Sequence, residues 1–317
     1  MNLHYLGKTG IKVTELCFGV LPLGPLQKNL TLEAAVRLLQ TAIGRGLNFF
    51  DTAESYQTQQ YLGRALAGQE RQQLVLATKS AAETYEGMKL SVEKSLDELN
   101  TDYIDIYHLH AARVTPAVFT EREGALACLT DMKKQGKIRA VGISTHSVSV
   151  VEAAAKRDDI DVVFPIINIL GRGIQDGTKE DMIRAIGKAA TAGQGVYAMK
   201  VLAGGHLVSE VPAAMTYVRQ IPGVSSIAVG MVDEAELNYN IELFKFNHVS
   251  PECAAAVQAD HKRLIVLGFC RGCGACVNVC PNQALSLVGN KARVDNDKCI
   301  LCGYCNPVCP EFALRIV

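Results

Sequence analysis

The sequence has no excess of charge, no apolar run long enough to cross a bilayer, and no basic-then-apolar order at its start. Lys plus Arg and Asp plus Glu each number 32 in 317 residues, without an acidic or basic block. Neither nucleic acid nor an anionic membrane surface is therefore indicated as a partner. The longest apolar stretch, Val162 to Leu170, is broken by Pro165 and Asn168 and falls short of the about 20 residues a spanning helix needs. Met1 to Lys8 does not read as a secretory leader, and a cytoplasmic location is expected. A last absence concerns the fold. Cys17-Phe18-Gly19-Val20-Leu21-Pro22 follows the first buried strand where an open doubly wound sheet would want a glycine-rich phosphate turn, which counts against that architecture.

What is present is a repeated alternation. After a hairpin over Leu3 to Val13, apolar strands end near Gly19, Asp51, Lys79, His110, Ser144, Asn168, Val201 and Gly230. Segments of helical period lie between them, as in Leu32 to Arg45, where Val36, Leu39 and Ile43 share a face. Strands alternating with helices imply parallel pairing, and eight such units predict a closed (β/α)8 TIM barrel. The barrel is expected over 1–245, a helical linker over 246–269, running from Ser250-Pro251 through Val257 and Leu264, and a small C-terminal α+β domain over 270–317.

Working residues in such barrels sit at the C-terminal strand ends. Three successive ends offer Asp51 with Tyr56, Lys79, and His110. The segments Leu6-Gly7-Lys8-Thr9-Gly10, Phe49-Phe50-Asp51-Thr52-Ala53 with Tyr56, Ala77-Thr78-Lys79, Asp102-Tyr103-Ile104-Asp105 with His110, and Val141-Gly142-Ile143-Ser144 follow one another as in the aldo-keto reductases. The chain resembles that family over roughly residues 1 to 245. Reducing a carbonyl requires a proton on oxygen, and a free phenol with a pKa near about 10 is a sluggish donor. A neighbouring ammonium lowers that pKa, and a carboxylate holds the ammonium in place. Tyr56 is thus expected to be the acid or base, Lys79 its tuner, Asp51 the partner of Lys79, and His110 the donor that orients the carbonyl oxygen.

The resemblance implies a nicotinamide cofactor, NAD(H) or NADP(H), held by Ser144, Asn168, Gly230, Glu236 and Asn240. The chain departs from the family here. Phe164 stands where an amide-holding Gln is usual, Met199 where a stacking Tyr is usual, and Gly230 and Glu236 where cations would grip a 2′-phosphate. Acidic side chains suit a ribose hydroxyl instead, so NAD(H) is expected to bind at least as well as NADP(H).

Eight of the 11 cysteines fall in the last 48 residues. They read Cys270-x-x-Cys273-x-x-Cys276-x-x-x-Cys280-Pro281 and again Cys299-x-x-Cys302-x-x-Cys305-x-x-x-Cys309-Pro310, each run followed by Ala-Leu, at Ala284-Leu285 and Ala313-Leu314. This internal duplication resembles a bacterial two-cluster ferredoxin. The resemblance implies two [4Fe-4S] clusters, one on Cys270, Cys273, Cys276 and Cys309, the other on Cys299, Cys302, Cys305 and Cys280, because the fourth cysteine of each run serves the other cluster. Zinc would need only four ligands.

These features together predict an iron–sulfur oxidoreductase that interconverts a small-molecule carbonyl and alcohol while passing electrons through two clusters. Hydride carries electrons in pairs and each cluster takes one. A flavin, for which the chain shows no signature, or an external electron-transfer protein would reconcile the two. The alternatives are a regulatory or redox-sensing subunit with structural clusters, and a plain NAD(P)H-dependent carbonyl reductase.

Overall fold

A computed structural model describes residues 1–112, 114–257, 263–311 and 313–316. A hairpin of β1 (Leu3–Tyr5) and β2 (Lys12–Thr14) precedes β3 (Leu16–Gly19), β4 (Phe49–Asp51), β5 (Val75–Ser80), β6 (Ile104–Ala111), β7 (Ile138–Thr145), β8 (Val162–Pro165), β9 (Gly195–Ala198) and β10 (Val224–Gly230). These last eight strands pair in parallel and in sequence order, and β10 returns to β3 to close a barrel. Helices α1 (Leu32–Gly44), α2 (Gln59–Ala65), α3 (Tyr85–Leu99), α4 (Val118–Glu121), α5 (Glu123–Lys134), α6 (Val148–Ala154), α7 (Lys179–Ala192), α8 (Val211–Arg219) and α9 (Glu234–Phe246) connect them. The strands are mostly buried because both faces are covered, one by the barrel interior and one by helices. Several helix starts are fixed locally: Thr31, Thr84, Ser147, Thr178 and Asp233 each accept a backbone N–H in the first turn.

Two strands end sooner than their apolar pattern suggests. β8 stops at Pro165, and the chain turns at Asn168, whose amide takes over the bonds a strand would have made: Nδ2 donates to Arg172 O at 2.9 Å and Oδ1 accepts from Arg172 N at 3.0 Å. β9 stops at Ala198. The buried face of α1 is Ala35, Leu38, Leu39 and Ala42, with Val36 and Ile43 on its flanks.

Past the barrel come α10 (Pro251–Ala256), β11 (Leu264–Val266), α11 (Ala275–Asn278), β12 (Leu285–Val288), β13 (Lys291–Val294) and β14 (Leu314–Ile316). The helix begun by Ser250 and Pro251 does not reach Leu264. Leu264 lies in a strand that pairs antiparallel with β14, while 258–262, inside the expected linker, lie outside the described residues. β12 and β13 form a second antiparallel pair. The core of this small unit sets five cysteines, Cys276, Cys280, Cys299, Cys305 and Cys309, among four leucines and three alanines. A core so short of hydrocarbon is of the kind that depends on bound metal for stability.

This unit is packed on the C-terminal mouth of the barrel. Gln27 Nε2 donates to Leu301 O at 2.9 Å, Gln175 Nε2 to Pro281 O at 2.6 Å, and His206 Nε2 lies 2.9 Å from Cys299 O. Two glycines permit the close approach. Gly204, at φ +71°, has no room for a Cβ against Ile300 O, and a Cβ on Gly303, at φ +80°, would stand 2.5 Å from Leu26 O. A Gly303→Ala substitution combines left-handed backbone strain with that clash, and we expect it to lower unfolding stability by about 1–3 kcal/mol. Denaturant unfolding of the anaerobic, cluster-loaded protein measures this. Stability equal to that of the parent would mean that the two units do not pack in this way.

Candidate active site and cluster chambers

The mouth of the barrel is built around a buried ammonium. Lys79, 1% exposed, comes from β5 and donates from Nζ to Asp51 Oδ2 at 2.6 Å and to Thr52 O at 2.7 Å. Its remaining approach faces rings: Nζ stands 5.0 Å from the centroid of Tyr56 and 5.1 Å from that of Phe164. Burial pushes the Asp51 carboxyl up and the Lys79 ammonium down, and in each case the opposite charge of the other works against it. Tyr197, on β9, donates to Asp51 Oδ1 at 2.9 Å, and its oxygen lies 2.7 Å from His108 Nε2. Because the one proton of Tyr197 goes to Asp51, His108 donates from Nε2 and leaves Nδ1 bare, which agrees with the lack of a partner at that atom. Neither Tyr197 nor His108 was anticipated from the sequence, since mid-strand positions do not show which side chain points inward.

The structure brings Asp51, Lys79, Tyr56 and His110 together. The rings of Tyr56 and His110 meet edge-on with centroids 6.0 Å apart. The expected lowering of the Tyr56 pKa by Lys79 does not appear. Burial holds the phenol well above its ordinary value, and Tyr304 and Asp51 add to the effect. The reason is geometric: the ammonium is committed to Asp51 and Thr52 and meets Tyr56 over the ring face. Burial and the cations Lys79, Lys200 and Arg122 push His110 down to about 3, so it is neutral at ordinary pH.

A cleft of about 500 Å³ opens from this point. Its walls include Asp51, Tyr56, Phe164, Met199 and Lys200 at one end, Gly230, Glu236 and Asn240 at the other, and Cys302 from the C-terminal unit. Of the residues expected to hold a nicotinamide cofactor, Gly230, Glu236 and Asn240 line it, whereas Ser144 and Asn168 do not. The Asn168 amide is spent on the backbone, as described above. Asn240 Nδ2 donates to Glu236 O at 2.8 Å, and its buried Oδ1 has no hydrogen-bond partner. A side chain at 230 would meet the Pro22 ring, and Glu236 Oε2 accepts from Val232 N at 2.8 Å. At the other end the Phe164 ring stacks on Tyr197 with centroids 3.9 Å apart.

The cysteines line two cavities. Cys280, Cys299, Cys302 and Cys305 surround one, and Cys270, Cys273, Cys276 and Cys309 the other. The fourth cysteine of each run thus stands in the chamber of the other run. Backbone N–H groups are turned toward sulfur equivalently in the two halves, Ala284 N to Cys280 Sγ at 3.2 Å and Ala313 N to Cys309 Sγ at 3.3 Å. Among the described residues no three His, Cys, Asp or Glu side chains converge on one point as the ligands of a single ion do. A cubane spreads its four thiolates around a larger body, which the chambers suit better than they suit zinc.

The pattern of the aldo/keto reductase family matches residues 15–213. That is more than half the sequence, and the chain belongs to this family. A 4Fe-4S dicluster domain matches residues 269–313. The chain is 28% identical over 223 residues to L-galactose dehydrogenase of Arabidopsis thaliana, covering 67% of this chain and 69% of that one. It is 26% identical over 197 residues to the NADH-specific methylglyoxal reductase of Escherichia coli, covering 54% and 60% respectively. A solved structure assigned to the aldo-keto reductases, from Pseudomonas aeruginosa, superimposes with a TM-score of 0.68 at 26% identity, over 76% of this chain and 94% of that one. The protein is therefore an oxidoreductase of the aldo-keto reductase type that carries a C-terminal 4Fe-4S dicluster domain. No helix among the described residues is long and apolar enough to cross a membrane.

Burial also sets how the protein responds to acid. His108 and His146, 0% and 2% exposed, both have pKa values well below the ordinary one because burial disfavours the cation. Each gains a proton on unfolding below about pH 6.5, so stability is full above that pH and falls as pH drops toward the folded-state value. The slope approaches about 1.4 kcal/mol per pH unit for each histidine. Urea unfolding between pH 7.5 and 5 should show this decline, and His146→Gln should make it shallower; a flat profile would contradict the buried neutral assignment.

Proposed function

We propose that the barrel interconverts a carbonyl and an alcohol with NAD(H), and that the dicluster domain exchanges electrons with the same site. The observation that carries this reading is the shared cleft: Tyr56 and Cys302 line one cavity. Gly230, Glu236 and Asn240 would hold the adenosine end and Met199 and Phe164 would border the nicotinamide end, where the cofactor supplies or accepts electrons as hydride. Lys200 is the single basic side chain among the described lining residues, so none of those at the Glu236 end favours a 2′-phosphate, and this supports NAD(H) over NADP(H).

The chain's own part in the reaction is to move a proton. Tyr56 Oη gives its proton to the substrate oxygen in reduction and recovers it in oxidation. His110, neutral, donates a hydrogen bond to the same oxygen. Lys79, held by Asp51 and in turn by Tyr197, places positive charge where negative charge develops. The two sets of four cysteines would each hold a [4Fe-4S] cluster. Cys302 faces the cleft, whereas Cys273 is exposed on the outside of the other chamber. That arrangement supports a route from the cleft through both clusters to an external electron-transfer protein.

Electron paramagnetic resonance on anaerobic protein tests the reading. NADH, alone or with added flavin, should reduce the clusters and do so at least as well as NADPH. Tyr56→Phe should keep the clusters and lose carbonyl turnover by about two to four decades. Clusters indifferent to either nucleotide under both conditions would favour a regulatory role for the dicluster domain.

A further inference from the structure

Tyr304 belongs to the dicluster domain, yet its hydroxyl lies inside the barrel site. It stands between Cys302 and Cys305 and lines their chamber. Its Oη is 3.0 Å from His110 Nε2, and its ring stacks on that of Tyr56. The three rings form one cluster, with centroids 6.5 Å apart for Tyr56 and Tyr304 and 6.0 Å for His110 and Tyr304. A substrate oxygen that receives a proton from Tyr56 and a hydrogen bond from His110 has to occupy the place where Tyr304 Oη now stands.

A half-buried tyrosine usually finds some partner for its hydroxyl, so the hydrogen bond alone says little. Three further observations say more. Both partners are residues placed on the substrate oxygen by the preceding reading, on which this inference rests. The equivalent position in the other half of the duplication, between Cys273 and Cys276, is Ala275, so the motif does not itself require a large side chain. The neighbouring residue, Gly303, fits against Leu26 O with no space for a Cβ, which fixes the segment that presents the ring.

We propose that Tyr304 is a specificity-determining residue: its phenol fills the substrate-oxygen position between Tyr56 and His110, and a substrate reaches those groups only by displacing it. The dicluster domain thereby supplies part of the active site as well as its clusters. When the competent state of a site is only a fraction of the population, apparent affinity falls by that fraction. Freeing the position should then strengthen the binding of any small alcohol that uses it, whether or not the alcohol reacts.

The test is binding of trifluoroethanol, followed by fluorine NMR on anaerobic protein whose cluster content is verified by iron analysis. Tyr304→Ala, which installs the residue used by the other half of the duplication, should tighten the apparent Kd at least tenfold, and adding Tyr56→Phe should abolish most of that gain. Tyr304→Phe, which keeps the ring and the packing, should fall between the parent and Tyr304→Ala. Equal Kd values for parent, Tyr304→Phe and Tyr304→Ala would overturn the proposal, as would a gain that survives loss of the Tyr56 hydroxyl. Methylglyoxal turnover on the same samples separates the two levels of inference. Tightened binding without turnover upholds the role of Tyr304 and counts against carbonyl reduction.

Discussion

A charged ammonium taken almost wholly out of water has to be met by fixed charge and dipoles, and the barrel interior is arranged to do so. Lys79 has a carboxylate at 2.6 Å and a carbonyl at 2.7 Å. The carboxylate is steadied from its other side by Tyr197, and Tyr197 by His108. This chain runs across β4, β5, β6 and β9, so it ties together strands that are far apart in sequence. Its result is a buried ion pair behind the cleft, beside a protonated phenol and a neutral histidine. Burial keeps the phenol protonated and the histidine neutral, whereas it opposes the charge on Lys79.

The dicluster domain meets a different constraint. Its core has too little hydrocarbon to stand without the groups its cysteines hold, and it is laid over the barrel mouth by contacts to the loops that follow β3, β8 and β9. The position is consequential because that mouth is where a (β/α)8 barrel does its chemistry. Cys302 becomes part of the wall of the cleft, and the phenol of Tyr304 reaches His110 at the strand ends. Joining the two units therefore does more than raise the local concentration of an electron carrier near an enzyme. It places one cluster chamber next to Tyr56 and leaves Cys273 of the other exposed.

Much of this was legible in the sequence because period and spacing carry it. Eight apolar strands alternating with segments of helical period specify a closed parallel barrel, and the duplicated cysteine runs specify two chambers. The parts that were not legible depend on contacts between distant segments. Leu264 reads as the end of a helix until β14, about fifty residues on, is available to pair with it. Asn168 reads as the end of a strand because its apolar neighbours hide that its amide will bond to the Arg172 backbone. The apolar face of α1 was drawn from its large residues, while alanines make up half of the buried set. Tyr304 did leave a signal: aligning the two cysteine runs sets it against Ala275. That difference gains meaning only once the barrel mouth lies beneath it.

The central claim is that the barrel residues and one cluster chamber form a single site. An X-ray structure of the cluster-loaded protein, crystallised anaerobically, tests it most directly. The account predicts a cubane on Cys280, Cys299, Cys302 and Cys305, with Tyr304 Oη within hydrogen-bond distance of His110 Nε2. A dicluster domain standing clear of the strand ends, with Tyr304 in solvent and the Tyr56 phenol open to water, would contradict it.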